Sequence, residues 1–392
     1  MSQTSVDRIV AHAYPWDVLG DPHFVDRTLA LGIREVALAA SYHSTRAATP
    51  LHPSHKVVDA HHAALYRPLR SEAWDGLAVV ARTASWGGSE DAFGDAAAIL
   101  VAAGIKVHAW IVLSHSTIIG HAHPGATVVN VFGDRYPYAL QPGHADILAY
   151  ARTLAAEAVR GVDLHGVSIE AAGQLGFAHV GPHEKTDGAY PGIGDTLLSI
   201  SATPRELSAW AEHGVDSDKI LAKLRDGIDA LSGGTLPVGS SITDVLSSEE
   251  AAAVLAVRHA DADELRRQVL ASVRAEAPDL RVTLHGHPDP WKTGPSPALT
   301  ASAPGEVDAV LVSAWPGTAE TVSVVESTRT LVGDDVAVGA YVSVLPPKKL
   351  DEVGAHVAAT VAAGANELHL YHLGLVNRPQ LEALGSVVRN FA

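Results

Sequence analysis

Ala103-Gly104-Ile105-Lys106-Val107 has two counterparts in the sequence, Leu31-Gly32-Ile33-Arg34-Glu35 and Ala363-Gly364-Ala365-Asn366-Glu367. In each, a stretch of helical period ends at a glycine, and an apolar run begins directly after it. A glycine at this point is typical of the left-handed residue that ends a helix, because it has no Cβ to clash. The junction therefore predicts a helix that leads straight into a strand.

The same alternation of short apolar runs and longer helical stretches continues along the chain. Eight runs predict strands: Arg8 to Tyr14, Glu35 to Tyr42, Lys106 to Ser114, Gly166 to Ala171, Arg281 to His285, Ala309 to Ala314, Ala337 to Ser343 and Glu367 to Tyr371. They lack strict polar alternation, which is typical of parallel strands buried on both faces. The sequence therefore predicts an α/β fold, a (β/α)8 TIM barrel, with residues 1–392 as one barrel domain.

One long segment does not fit a minimal barrel. Residues 177–278 follow the fourth predicted strand, begin rich in glycine and proline, and then become helical. Within them, Thr203-Pro204-Arg205-Glu206 offers a capping residue, a proline in the first turn and a glutamate three residues on. We expect a helical insertion in the fourth βα loop, acting as a lid or a helical subdomain.

Composition excludes several classes of protein. Hydrophobic residues make up 47% of the 392 residues, which is enough for a large core, and the formal net charge of −16 disfavours nucleic acids and anionic membranes as partners. The first ten residues contain no long apolar stretch, so a cytoplasmic location is expected. The chain has no cysteine, which excludes thiolate nucleophiles and ligands. No cofactor or metal is predicted, because the glycine-rich, Walker and HExxH motifs are absent. The pattern does not indicate an oligomeric state.

Glu170 is the leading candidate for catalysis. Reactive side chains of TIM barrels lie at the carboxyl ends of the strands, and Glu170 ends the fourth strand among small neighbours in Gly166-Val167-Ser168-Ile169-Glu170-Ala171-Ala172-Gly173. A buried ionised glutamate costs several kcal/mol unless it is paired, so this residue should be paired, protonated or functional. A structural ion pair inside the barrel is the competing interpretation.

Two further carboxylates could act with Glu170. Glu184 lies in the insertion, in Pro182-His183-Glu184-Lys185, between an imidazole and an ammonium group. Asp289 follows the fifth strand, in His285-Gly286-His287-Pro288-Asp289-Pro290-Trp291, where two histidines alternate. A solvated charged loop and hydrogen-bonded histidines are the alternative interpretations of these two segments.

Aromatic and imidazole side chains recur at the predicted strand ends. Tryptophan and tyrosine rings stack on the C–H faces of sugars, while polar groups bind their hydroxyls, so this composition favours a carbohydrate substrate. The predicted substrate-binding residues are His12, Tyr14, His43, Trp110, His115, His183, Lys185, His285, His287, Trp291, Trp315, Tyr341, Tyr371 and His372. Some of these rings are equally compatible with a role in the core.

Three segments resemble the barrel-type glycoside hydrolases, and most closely a group of uncharacterised bacterial glycosyl hydrolase-like (β/α)8 proteins. They are Gly104-Ile105-Lys106-Val107-His108-Ala109-Trp110-Ile111, Tyr138-Ala139-Leu140-Gln141-Pro142-Gly143-His144-Ala145-Asp146-Ile147 and Gly161-Val162-Asp163-Leu164-His165-Gly166-Val167-Ser168-Ile169-Glu170. The resemblance covers the first half of the chain. It implies that Glu170 corresponds to the acidic residue that ends the fourth strand in these relatives.

The resemblance implies a glycosidase, but its second carboxylate is missing here. Retaining members of this class have one at the end of a late strand, often the seventh, which reads Gly339-Ala340-Tyr341-Val342-Ser343 in this chain. Glu184 or Asp289 would have to replace it. Two alternatives stay open: a metal-dependent sugar lyase or isomerase with Glu170 and His285, His287 or His372 as ligands, and a non-catalytic sugar-binding barrel.

Overall fold

The eight predicted strands form a closed parallel barrel in a computed structural model of the chain. The structure describes residues 5–179, 184–186 and 188–392. The barrel strands are β1 (Arg8–Ala13), β2 (Glu35–Tyr42), β3 (Lys106–Val112), β4 (Gly166–Glu170), β5 (Arg281–His285), β6 (Ala309–Ser313), β7 (Ala337–Ser343) and β8 (Glu367–Tyr371). Each strand pairs in parallel with the next, and β8 pairs with β1. The predicted (β/α)8 barrel is confirmed.

The α-helices of the described residues lie around the barrel and in the insertion after β4. They are α1 (Pro15–Val18), α2 (Phe24–Ala30), α3 (Ser71–Trp74), α4 (Ala92–Ala102), α5 (Thr117–Ala122), α6 (Ala145–Val159), α7 (Gly194–Leu198), α8 (Pro204–Glu212), α9 (Ser217–Ser232), α10 (Ser248–Glu276), α11 (Thr318–Val332), α12 (Val353–Ala362) and α13 (Arg378–Phe391). No helix in the part of the chain that the structure describes is long and apolar enough to span a bilayer.

The unit after β5 departs from the repeat. Its connection, residues 286–308, is described throughout and contains only the 3-10 turn Ala303–Gly305 in place of an α-helix. Five prolines lie in this segment, and proline removes a backbone donor and breaks helices. The connection is therefore an extended loop at this side of the barrel.

Short strands extend the loops on the carboxyl face. Ala64–Leu65 pairs antiparallel with β2, and Thr45–Ala48 pairs with Val57–Ala60. After β3, Thr127–Val129 pairs antiparallel with Arg135–Leu140. The second and third βα loops are thus structured and can hold side chains at fixed positions.

The insertion has its own apolar cluster, and α10 belongs to both this cluster and the barrel core. Val254 and Val257, in the first half of α10, pack in the cluster with residues of α7, α8 and α9. Leu265, Val269 and Val273, in the second half, pack in the barrel core. The helix is 29 residues long, about 43 Å at 1.5 Å per residue, so it can reach both.

Polar contacts hold the insertion on the third βα loop. The hydroxyl of Tyr136 donates to the carbonyl oxygen of Leu198 at 2.9 Å, and Nε of Arg225 donates to that of Val131 at 2.6 Å. Within the insertion, Arg205 of α8 forms an ion pair with Asp261 of α10. The insertion is therefore fixed next to the carboxyl ends of β3 and β4.

Glycines make room for imidazole rings inside the barrel. A Cβ on Gly166 would lie 2.5 Å from Nδ1 of His108 and 2.6 Å from the carbonyl oxygen of Arg281. A Cβ on Gly339 would lie 3.1 Å from the ring of His369. Barrels of this class are usually filled by Val, Ile and Leu, so the interior of this one is unusually polar.

We expect Gly166→Ala to lower the free energy of unfolding by about 2 kcal/mol, because the new methyl group must displace a buried ring or a strand. Urea unfolding followed by circular dichroism measures the change. Gly354→Ala is the matched control, since a Cβ there meets nothing within 4 Å and its site is an exposed turn of α12. An equal effect of the two substitutions would contradict the explanation.

Candidate active site

Glu170 ends β4 and is buried. Its Oε2 accepts a 2.7 Å hydrogen bond from Nε1 of Trp110, which lies on the neighbouring β3, and is 3.8 Å from Nδ1 of His285 on β5. Burial raises the pKa of the Glu170 carboxyl to about 7, and the hydrogen bond from Trp110 opposes this rise. Burial also lowers the pKa of His285 to about 3, so the imidazole is neutral at pH 7. Neither contact supplies a positive charge, and the carboxyl keeps its proton up to near-neutral pH.

The chain leaves β4 through a strained residue. Ala171 has φ +56°, in the left-handed region that non-glycine residues rarely occupy. Its backbone N–H donates to the carbonyl oxygen of Pro295 at 2.8 Å, which ties this turn to the loop after β5. Such strain persists only where the surroundings fix it, and it lies directly beside Glu170.

Three tyrosines surround Glu170 at the carboxyl end of the barrel. Burial raises the pKa of Tyr42, Tyr341 and Tyr371, and the nearby charge of Glu170 raises each further. Trp315 follows β6 and is 46% exposed, with its ring centroid 4.8 Å from that of Tyr371. Tyr341, Tyr371 and Trp315 were predicted to bind substrate, and Tyr42 was not. Together the four rings form an aromatic group that is buried near the Glu170 carboxyl and exposed at Trp315.

His12 and His285, both predicted to bind substrate, lie deeper in the barrel. Nδ1 of His12 is 3.1 Å from the hydroxyl of Tyr341, and Nε2 of His285 is 3.0 Å from Oγ of Ser168. Both histidines are almost fully buried. They therefore contact the residues around Glu170 from inside the barrel.

A second polar group lies at the rim. Glu184 forms a hydrogen-bonded ion pair with Nδ1 of His179, and Nε2 of His179 is 2.7 Å from Nε2 of His115, which follows β3. The ring of His115 packs against that of His43, with centroids 4.3 Å apart. Tyr138 stacks on His179 at 3.9 Å. The structure thus gathers the predicted residues Glu184, His115 and His43 around one histidine.

His179 was missed by the sequence analysis. It stands in a glycine-rich stretch with no strand or helix pattern, so no periodicity marks it. Its carboxylate partner lies only five residues further along the chain, which was the one available signal. Of the other predicted residues in this segment, Lys185 is exposed, and His183 lies outside the described residues.

Asp289, His287 and Trp291 form a separate turn. Oδ1 of Asp289 accepts from the backbone N–H of Trp291 at 2.9 Å, and Nδ1 of His287 accepts from the N–H of Asp289 at 3.1 Å. Trp291 packs against the apolar cluster of the insertion, and Arg258 of α10 donates to its carbonyl oxygen at 2.9 Å. Asp289 is exposed. The contacts of this turn face the insertion, not Glu170.

A second buried carboxyl, Asp17, lies beside Tyr14 and His372. Its Oδ2 accepts from the backbone N–H of Tyr14 at 2.8 Å and is 3.7 Å from Nδ1 of His372. The rings of Tyr14 and His372 pack with centroids 4.2 Å apart. Burial raises the pKa of Asp17 to about 7. A Cβ on Gly374 would overlap this carboxyl, so Asp17 is covered by the loop after β8.

The ligands of the metal-dependent alternative are not gathered. Among the residues that the structure describes, no three His, Asp or Glu side chains are grouped so as to hold a metal ion. His285 lies near Glu170, but His372 faces Asp17 and His287 bonds within its own loop.

Comparison with known proteins gives a likeness in fold. No protein-family model matches the sequence. No curated protein matches it either. Among solved structures, α-L-fucosidase isoenzyme 2 from Paenibacillus thiaminolyticus is similar, with a TM-score of 0.56 and 11% identity over 97% of this chain and 48% of that one. The catalytic domain of β-amylase from Paenibacillus polymyxa has a TM-score of 0.57 and 11% identity over 99% of this chain and 100% of the domain.

A β-galactosidase from Bacillus circulans sp. alkalophilus is similar too, with a TM-score of 0.57 and 10% identity over 99% of this chain and 56% of that one. The chain thus spans about half the length of the fucosidase and of this galactosidase. The structural neighbours are glycoside hydrolases with (β/α)8 barrels. At these identities the likeness establishes the barrel fold.

We expect Glu170→Gln to stabilise the protein at pH 8 by about 3 kcal/mol at most and to have little effect at pH 4. The folded carboxyl has a pKa of about 7 against an ordinary value of 4.5, so between these values only the unfolded chain has lost its proton. Stability therefore falls as the pH rises through this window, and glutamine removes that loss.

Chemical unfolding of both proteins from pH 4 to pH 8 measures this difference. Glu326→Gln, on the exposed face of α11, is the matched control and should show no such trend. A Glu170→Gln effect that is independent of pH would refute the raised pKa.

Proposed function

We propose that this protein is a glycoside hydrolase that acts on a small or oligomeric carbohydrate, with Glu170 as the general acid/base. The observation that carries the proposal is the buried Glu170 carboxyl, whose pKa is raised to about 7 at the carboxyl end of the barrel. A general acid is most effective when its pKa lies near the working pH. The fold shared with glycoside hydrolases supports the same reaction class.

The reaction breaks the bond between the anomeric carbon and the leaving oxygen. Glu170 gives its proton to that oxygen, so the leaving sugar departs as a neutral alcohol and Glu170 becomes a carboxylate. A second carboxylate either attacks the anomeric carbon or takes a proton from the attacking water. In the inverting case water supplies the hydroxyl of the product and its proton passes to the second carboxylate; proton exchange with solvent then returns both carboxyl groups to their starting states.

Glu184 is the better second carboxylate of the two predicted. It bonds to His179 and through it reaches His115 at the end of β3, the strand that also carries Trp110. Asp289, in contrast, caps the backbone of its own exposed turn. Separations of about 5 Å between the two carboxyl groups favour retention of configuration, and about 6.5 to 9.5 Å favour inversion.

Trp315 is the proposed sugar platform. Its exposed ring beside Tyr371 can stack on the C–H face of a pyranose, while the buried tyrosine hydroxyls offer hydrogen bonds to sugar hydroxyls. Glu170 lies within the same group of rings. A sugar on Trp315 would therefore bring its glycosidic bond towards the acid.

We expect Glu170→Gln to reduce kcat about 10²-fold to 10⁴-fold on glycosides with poor leaving groups, because glutamine cannot donate the proton. Activity on dinitrophenyl glycosides should fall far less, since that leaving group departs without protonation. Steady-state kinetics on a panel of aryl glycosides and oligosaccharides measure both losses. The alkaline limb of the wild-type pH profile should lie near pH 7 and disappear in the variant.

Glu184→Gln and Asp289→Asn form a matched pair. Glu184→Gln should reduce kcat on both substrate classes, and Asp289→Asn should leave kcat within about twofold of wild type. Full activity of Glu170→Gln on every glycoside that the wild type cleaves would remove Glu170 from the mechanism. Reversed effects of the other two variants would assign the second role to Asp289.

One observation favours a second candidate, a non-catalytic sugar-binding barrel. Strand β7 ends in Tyr341 and Ser343, and no carboxylate stands there to act opposite Glu170. Isothermal calorimetry with the same panel of sugars, combined with product analysis over several days, separates the two candidates. Binding without product selects the binding protein, and product formation selects the hydrolase.

A further inference from the structure

A column of polar side chains runs through the barrel from its amino-terminal end towards Glu170. At the amino-terminal end, Glu367 of β8 accepts a 2.5 Å hydrogen bond from Arg281, and Nε of Arg8 is 3.4 Å from the same carboxylate. Arg8 and Arg281 also line a cavity of about 520 Å³ on that face. Burial raises the pKa of Glu367, but its contact with His369 and the charges of Arg281 and Arg8 outweigh burial and lower the pKa below its ordinary value. Glu367 is therefore an anion at neutral pH.

Two histidines continue the column. Oε2 of Glu367 is 3.7 Å from Nε2 of His369, and neither atom has a hydrogen-bond partner within the described part of the chain. Nδ1 of His369 is 3.3 Å from Nε2 of His12, and Nδ1 of His12 is 3.1 Å from the hydroxyl of Tyr341. In each contact a ring nitrogen faces the next group, so Glu367, His369, His12 and Tyr341 form a continuous chain of polar contacts.

The direction of the hydrogen bonds follows from the charge at the lower end. A neutral imidazole carries its proton on one nitrogen and a lone pair on the other. If Nε2 of His369 were bare, its lone pair would face the Glu367 anion, which is repulsive; a proton on Nε2 is attracted instead. Nδ1 of His369 is then bare and can only accept, so His12 must donate from Nε2. Nδ1 of His12 is bare in turn and accepts from the hydroxyl of Tyr341.

We propose that Glu367 fixes the tautomers of His369 and His12, and thereby makes Tyr341 a hydrogen-bond donor to His12 whose oxygen is left free to accept at the carboxyl end of the barrel. Glu367, His369 and His12 are positioning residues in this arrangement. Tyr341 is the residue that meets the ligand, and the ligand group that it selects is an O–H donor.

The surroundings of His12 keep its ring neutral. Burial lowers the pKa of His12 far below its usual value, and the imidazoles of His369, His285, His372 and His108 lower it further. The ring of Trp110 packs edge-on against His12 at 4.8 Å, and Nδ1 of His12 faces the hydroxyl of Tyr341. With a proton on both nitrogens, His12 would donate to the oxygen of Tyr341 instead of accepting from its hydroxyl, so that contact would reverse its direction.

The last step rests on the proposed function. A pyranose hydroxyl held near Glu170 can donate to the oxygen of Tyr341, whereas a ligand that only accepts hydrogen bonds there is disfavoured. The charge of Glu170 acts on Tyr341, and the Tyr341 ring lies 5.8 Å from that of Trp315, so Tyr341 is near both the acid and the proposed platform. The relay would thus select sugars with a free hydroxyl at the position that faces β7.

Nitrogen-15 spectroscopy of the histidine rings tests the relay without any substrate. In the wild-type protein at pH 7, both His12 and His369 should show a protonated Nε2 and a bare Nδ1. In Tyr341→Phe, the Nδ1 resonance of His12 should move to the position of a lone pair without a hydrogen bond, while His369 stays unchanged. A wild-type His12 or His369 that is protonated on Nδ1, or on both nitrogens, overturns the relay whatever the protein does to sugars.

Ligand binding tests the selectivity. Tyr341→Phe should weaken binding of the best sugar about fivefold to tenfold, as expected for one lost hydrogen bond. The monodeoxy sugar that lacks the hydroxyl facing Tyr341 should bind both proteins equally. Tyr150→Phe, a buried tyrosine of α6 remote from the barrel interior, is the control and should bind like wild type. Equal binding of every deoxy sugar by Tyr341→Phe and wild type overturns the selectivity, and the spectra still decide the relay.

Discussion

The structure depends on placing ionisable groups inside a closed ring of parallel strands without leaving them unpaired. Most of the interior is uncharged because burial holds His285 and His372 neutral and keeps the proton on Glu170. Charge is confined to the amino-terminal end, where arginines pair with Glu367. The barrel therefore has an ionic end and a neutral end, and the carboxyl with the raised pKa lies at the neutral one.

The fold was accessible from the sequence because every strand carries a local signal, and three of the eight strands carry two. Glycines before β2, β3 and β8 end a helix, and apolar runs without alternation mark buried strands. The predicted and observed strand bounds differ by at most two residues. The missing helix after β5 was not expected, although the prolines of that connection exclude one. Periodicity locates elements, but it does not say when a repeat omits one.

The site was accessible only in part. The end of β4 indicated Glu170, and the structure places it among the predicted rings of Trp110, Tyr341 and Tyr371. His179, in a loop, and Asp17, in the single turn of α1, meet their partners only through tertiary folding. Asp289 matched the expected residue type, but its carboxylate caps a turn. Residue type can be read along a strand, whereas the partner of a loop residue depends on tertiary packing.

Helix α10 affects how the protein unfolds. This one helix contributes side chains to two separate apolar clusters. Because a helix is stabilised mainly by packing, unfolding of either cluster destabilises the whole helix and so the other cluster. The two clusters should then melt as a single cooperative unit. The insertion and the outer layer of the barrel share this helix, so removing the insertion would leave the first half of α10 without its packing partners.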